Sequence, residues 1–235
     1  MKSKTKKIRI VIIVIISIFL LLLGGFYIYT LDYYRADQEA MDVINSNENI
    51  EINNELTVFY PNIDTQSDVG LIFYPGGKIE AVAYAPLLES LSQNGITVVL
   101  IEMPFNLAVF NINAADKIYN EFSNINEWYI CGHSLGGAMA SSYVDKNSFK
   151  LDGLILLGAY PINDSAIPTL VIYGSEDVNL DLTKITSVKE KIEIIGGNHA
   201  YFGNYGEQDG DGKATISRAK QQEITTQAIT EFIFK

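Results

Sequence analysis

Hydrophobic positions fall into two regimes along this chain. Residues 8–29 read IRIVIIVIISIFLLLLGGFYIY, and residues 10–28 carry no charge, about the length a helix needs to cross a bilayer. After residue 30 the pattern changes to short apolar runs separated by amphipathic stretches. Residues 50–52 and 56–60 predict a hairpin at a sheet edge. Apolar runs at 69–74 (VGLIFY), 96–101 (ITVVLI), 128–131, 154–157, 169–173 and 192–195 predict strands buried on both faces. Between them, Tyr84, Leu87, Leu88 and Leu91 recur at the spacing of one helix face, and Gly95 marks its end. Ala115, Ile118, Tyr119 and Phe122 predict a second helix, residues 137–145 a third, and Ile224, Ala228, Ile229 and Phe232 a last one over 217–234. The fold class expected is α/β, with a mostly parallel central sheet flanked by helices and one transmembrane helix before it. Only residues 158–168 join two strands that should be parallel. That is too short for a helical crossover, and it leaves no room for an inserted lid.

Charge places the apolar segment. Lys2, Lys4, Lys6, Lys7 and Arg9 precede it, while Asp32, Arg35, Asp37 and Glu39 follow it. The positive-inside rule puts the basic end in the cytoplasm and the rest of the chain outside. The run is longer than a signal-peptide core and ends in Phe26, Tyr27 and Tyr29, aromatic residues of the interfacial kind. The expected organisation is a cytoplasmic basic tail (1–9), a transmembrane signal anchor (10–30), a juxtamembrane spacer or short helix (31–47) and one α/β domain (48–235). Cleavage near Gly24-Gly25 is the alternative. The localisation expected is the cell membrane, single-pass, with an extracytoplasmic body.

Of the 17 basic residues, five lie in the tail, so the rest of the chain carries 12 against 28 acidic ones. Such a body has no basic patch to follow phosphates, and nucleic acid is not an expected partner. Cys131 is the single cysteine, so no intramolecular disulfide forms. His133 and His199 are the only histidines, and neither has a spacing that suits zinc. No metal and no cofactor is expected. Asp209-Gly210-Asp211-Gly212 lacks the further oxygen ligands of a calcium loop and reads as a turn.

The candidate chemistry lies in ICGHSLGGAMA, residues 130–140. Gly132-His133-Ser134-Leu135-Gly136 falls between a predicted strand and a predicted helix, the context a nucleophile elbow requires. A serine hydroxyl is a weak nucleophile until a histidine takes its proton. His199 follows the last predicted strand and precedes the last helix, which suits that base. A carboxylate must orient it. Asp177, in YGSED just past the strand at 169–173, is the first choice, with Glu176 and Asp164 as competitors. Two backbone N–H groups would hold an oxyanion: that of Leu135 at a helix start, and that of Gly77 (Lys78 second) in the Pro75-Gly76-Gly77-Lys78 loop. Tyr201, Phe202 and Tyr205, just after His199, are candidates for an apolar substrate shelf.

FYPGGK (73–78), MPFNLA (103–108), GHSLGG (132–137), YGSED (173–177) and GGNHAYFGNYG (196–206) resemble the α/β-hydrolase superfamily. Within it the chain is similar to the compact, lidless, dienelactone-hydrolase-like branch, and to a subgroup of membrane-anchored bacterial hydrolases. The resemblance implies the triad Ser134, Asp177, His199. Dienelactone hydrolases proper use cysteine as nucleophile, whereas this chain has serine. The function expected is a serine hydrolase that cleaves small-molecule carboxylic esters of short acyl groups through an acyl-enzyme. The alternatives are an acyltransferase acting on a cell-envelope acceptor and an inactive hydrolase fold serving as an anchored binding module.

Overall fold

A computed structural model describes residues 2–235 and divides the chain into two compact units, one ending at Tyr33 and one spanning Tyr34–Lys235. The first is a single helix, α1 (Lys2–Leu31). Within its stretch Lys7–Leu31 an 18-residue window has a mean hydropathy of 3.0, and the stretch is long and apolar enough to cross a membrane. Membrane anchors and signal sequences share that property.

The second unit is built on eight strands: β1 (Ile50–Ile52), β2 (Leu56–Phe59), β3 (Val69–Tyr74), β4 (Thr97–Ile101), β5 (Glu127–His133), β6 (Gly153–Leu157), β7 (Thr169–Gly174) and β8 (Glu190–Ile194). They form one sheet in the order β1-β2-β4-β3-β5-β6-β7-β8. Strands β3 to β8 are parallel, and the hairpin β1–β2 adds antiparallel to β4 at one edge. The inner strands read as unbroken apolar runs because both faces are covered. Leu71 and Phe73 of β3 face one layer, Ile72 and Tyr74 the other. The first layer holds α3 (Ala85–Gln93), through Leu87, Leu88 and Leu91, and α5 (Arg218–Ile233), through Ala228, Ile229 and Ile233. The second holds α4 (Leu135–Asn147), through Ala140, Tyr143 and Val144. Each such side chain, moved out of water, contributes about 1.5–3 kcal/mol when it is of Leu or Val size. Residues 158–168 carry no helix and no strand, as their length requires.

Two expectations are corrected. No α-helix spans residues 115–122; one 3-10 turn (Ala114–Lys117) and further turns bury Ala115, Ile118 and Phe122 in the second layer instead, with Phe122 against Trp128. The stretch is rich in Asn, Asp and Ser, whose side chains compete for the backbone groups a helix would pair. The segment 31–47, expected as a spacer or short helix, does hold a short helix, but beyond Tyr33 it belongs to the body. Helix α2 (Gln38–Ser46) starts at Asp37, whose carboxylate accepts from the Ala40 N–H, and packs Val43 and Ile44 on the first layer. Tyr34 bridges Ile79, its N–H donating to the Lys78 carbonyl and its carbonyl accepting from the Glu80 N–H. The body therefore begins at Tyr34 rather than at residue 48.

Candidate active site

Ser134, Asp177, His199 and Gly77 all sit at the carboxyl end of the parallel strands, where an open α/β sheet leaves its crevice. Strand β5 ends at His133, and Ser134 follows with φ 51° and ψ −120° before α4 begins. A non-glycine residue there stores strain of order 1–3 kcal/mol, retained only where the surroundings enforce it. They do so through two glycines. A Cβ on Gly132 would stand 2.5 Å from the Gly136 carbonyl carbon, and one on Gly136 would collide with the carbonyl oxygens of Tyr74 and Pro75. The Ser134 N–H donates to the Leu157 carbonyl at 3.0 Å, tying the turn to the end of β6.

Asp177 lies in the turn after β7 and His199 in the turn after β8. His199 Nδ1 is 2.8 Å from Asp177 Oδ2, and both side chains are buried. The competing carboxylates stand elsewhere. Glu176 accepts from the Ser175 hydroxyl, and Asp164 lines a cavity with Thr169 and Glu190 at the amino ends of β7 and β8, the opposite edge of the sheet. Gly158, with φ +52°, passes so close that a Cβ on it would stand 2.9 Å from His199 Nδ1 and 3.0 Å from Asp177 Oδ2. The loop of Gly77 lies against the start of α4, since a Cβ on Gly77 would be 2.7 Å from Leu135 Cδ2. The Gly76 N–H is committed to the Tyr84 hydroxyl and the Lys78 N–H to the Asn106 carbonyl. Lys78 is thus removed as an oxyanion donor, and Gly77 is left between two occupied neighbours.

The aromatic shelf is corrected. Phe202 is fully buried, and Tyr205 is buried against Tyr34 with its hydroxyl on Gln208. Tyr201 lies under the guanidinium of Arg218. These rings pack the loop itself rather than lining an opening.

Several residues that hold the site escaped the sequence reading. Gln221 of α5, fully buried, accepts from the Asn198 N–H and donates to the Asn198 carbonyl, fixing the residue before His199. Asp211 accepts from the Ala200 N–H, so the Asp209–Gly212 tract is a turn that pins the residue after it. His133 is fully buried, its Nδ1 2.7 Å from the Tyr84 hydroxyl and its Nε2 3.1 Å from the His199 carbonyl. Burial, and then His199 beside it, hold the His133 ring well below its ordinary pKa. The available signal was a polar ring closing the apolar strand WYICGH, which a buried site must satisfy. Burial also pushes the Cys131 thiol up, so it is no thiolate.

A family model described as "Alpha/beta hydrolase family" matches residues 70–223, which include Gly77, Ser134, Asp177 and His199. The chain belongs to the alpha/beta hydrolase family. It is a hydrolase with the fold of that family. Solved structures of the same fold include Est1E from Butyrivibrio proteoclasticus, at 14% identity and a TM-score of 0.54, covering 79% of this chain and 96% of that one. The dienelactone hydrolase of Anabaena variabilis aligns at 15% identity and 0.54, covering 76% and 90%. MenH from S. aureus aligns at 12% and 0.57, covering 77% and 100%. No curated protein sequence matches the chain.

Proposed function

We propose that this alpha/beta hydrolase is a serine esterase that cleaves carboxylic esters of small acyl groups, with Ser134, His199 and Asp177 as its triad. The buried 2.8 Å contact between His199 Nδ1 and Asp177 Oδ2, in the same carboxyl-end crevice as the strained Ser134, carries this reading. Asp177 can only accept when ionised, so Nδ1 bears the proton and the other ring nitrogen, Nε2, is left as base. In the reaction Ser134 Oγ attacks the ester carbonyl while Nε2 takes its proton. The N–H groups of Leu135 and Gly77 receive the oxyanion, with α4 adding the positive end of its dipole. Nε2 then returns the proton to the departing alcohol. Water, activated by the same nitrogen, attacks the acyl-enzyme and releases the acid, restoring Ser134.

Location follows from the chain ends of α1. With five cations before the apolar span, we place the basic tail in the cytoplasm and the hydrolase body on the extracytoplasmic face of the membrane. The deciding experiment is fluorophosphonate labelling of the full chain in detergent micelles, with the modified peptide mapped by mass spectrometry. Labelling at Ser134, lost in Ser134→Ala, is the expected result. A folded chain that does not label would sink the esterase reading and favour a binding module.

A further inference from the structure

The residue before the proposed nucleophile joins the turn of His199 to the loop of Gly77 through buried side-chain hydrogen bonds, beside the backbone bond from the Asn204 N–H to the Ala83 carbonyl. His199 O can only accept, so His133 Nε2 must donate to it and carries the ring's proton. On a neutral ring Nδ1 then accepts, and the Tyr84 hydroxyl donates to it. The same hydroxyl oxygen accepts the Gly76 N–H at 3.0 Å. Each donor in this line meets one acceptor: Gly76 N–H to Tyr84, Tyr84 O–H to His133, His133 N–H to the His199 carbonyl. Both side chains are fully buried. Phe73 lies 4.8 Å from the Tyr84 ring, and Phe202 lies 5.5 Å from that of His133. No water need enter, and an interruption would strand polar groups in an apolar wall.

We propose that His133 is a positioning residue: as the neutral Nε2–H tautomer it ties the turn that carries His199 to the loop that carries Gly77, setting base and oxyanion donor at a fixed separation. This rests on the esterase reading for its consequence, but not for its geometry. A cationic ring would point a second N–H at the Tyr84 oxygen and lie 4.6 Å, centroid to centroid, from the ring of His199, which itself becomes cationic during proton transfer. The titratable groups that face His133 are Tyr84 and His199, the latter backed by Asp177. Burial and His199 both oppose its charge. One ring stays neutral so that the other can take the proton.

The chain has only two histidines, which makes the test direct. Nitrogen-15 imidazole spectra of the full chain in detergent micelles are recorded across about pH 5–8, the range of ordinary histidine titration, and His133→Gln identifies which signal is lost. The expected spectrum shows His133 protonated at Nε2 alone throughout; protonation of both nitrogens, or a proton at Nδ1, overturns the proposal. Tyr84→Phe deletes only the hydroxyl. We expect it to fold, to label with fluorophosphonate about 10- to 100-fold more slowly, and to blur the His133 tautomer. Tyr74→Phe is the control, for its buried hydroxyl donates to the Ile112 carbonyl and accepts the Ala115 N–H in the other layer. If Tyr84→Phe labels at the wild-type rate, or Tyr74→Phe is slowed equally, the positioning role is refuted. If the wild-type chain fails to label while the tautomer is as expected, the esterase reading falls and the hydrogen-bonded line stands.

Discussion

Gly158→Ala separates a backbone cost from a steric one inside the site. At φ +52°, alanine costs about 1–2 kcal/mol relative to its ordinary conformations. The added methyl would also stand 2.9 Å from His199 Nδ1 and 3.0 Å from Asp177 Oδ2. Carbon in contact prefers about 3.5 Å or more, so the ring and carboxylate must give way by roughly 0.5 Å. That retreat opens the 2.8 Å contact between them and shifts Nε2, the nitrogen proposed to take the Ser134 proton. Misplacement on this scale costs on the order of 10- to 100-fold in rate. Gly206→Ala supplies the comparison, since Gly206 also has a positive φ, +90°, but nothing within 4 Å. Urea midpoints measure the first cost and fluorophosphonate labelling rates the second. Both variants are expected to lose about 1–2 kcal/mol of stability to the αL penalty, Gly158→Ala losing more because its methyl crowds the buried pair, and only Gly158→Ala should label slowly. Equal labelling rates in the two variants would show that the close approach of Gly158 has no bearing on the base.

Three further outcomes follow from the same geometry. Asp177→Asn should lower labelling and turnover by roughly 10³- to 10⁴-fold, because the amide favours the wrong histidine tautomer, while Asp164→Asn and Glu176→Gln stay near wild type; a crippled Asp164→Asn would move the acid to another loop. For His133 the folded pKa is depressed, so the unfolded chain takes up a proton first. Its contribution to stability is complete above the unfolded value near ~6.5 and drains away as pH falls below it. The urea midpoint should drop more steeply from pH 8 to 5 in wild type than in His133→Gln, and parallel slopes would contradict the assignment. Phe202 and Tyr205 are withdrawn into the core, and residues 158–168 between β6 and β7 carry no helix that could fold over the site as a lid. Acetyl and butyryl p-nitrophenyl esters should therefore be cleaved much better than palmitoyl ones, each buried methylene being worth only ~0.8 kcal/mol at best. A strong palmitoyl preference would require an apolar groove.

Strand positions were legible because a strand buried on both faces must be largely apolar, and β3 and β6 have no charged side chain to obscure the pattern. The elbow was legible because the close approach at Gly132, to the backbone of Gly136, is a local demand. What failed was information that depends on distant partners. Ala115, Ile118, Tyr119 and Phe122 are spaced as on a helix, yet what they satisfy is burial in the second layer, with Tyr119 and Phe122 on Trp128, which a run of turns supplies equally well. Tyr34 and Asp37 carry no motif, because their partners are Lys78, Glu80, Asn204 and Arg218. Aromatic residues after His199 announced packing without saying on which side of the loop it occurs.

The strand order gives the proposed triad an uneven footing. Ser134 is rooted on β5, held between β3 and β6 in the middle of the sheet, whereas Asp177 and His199 hang from β7 and β8, the last two strands. Strand β8 is bonded on one side only, and Glu190, Lys191 and Glu193 line that margin with charge, which discourages pairing with other chains. Amides near such a margin open in small local excursions that cost far less than global unfolding. Warming should thus disconnect acid and base from the nucleophile while the centre of the sheet remains protected from exchange. Catalytic inactivation would then precede the melting of the fold, and a ligand that bridges both halves would raise the first temperature more than the second.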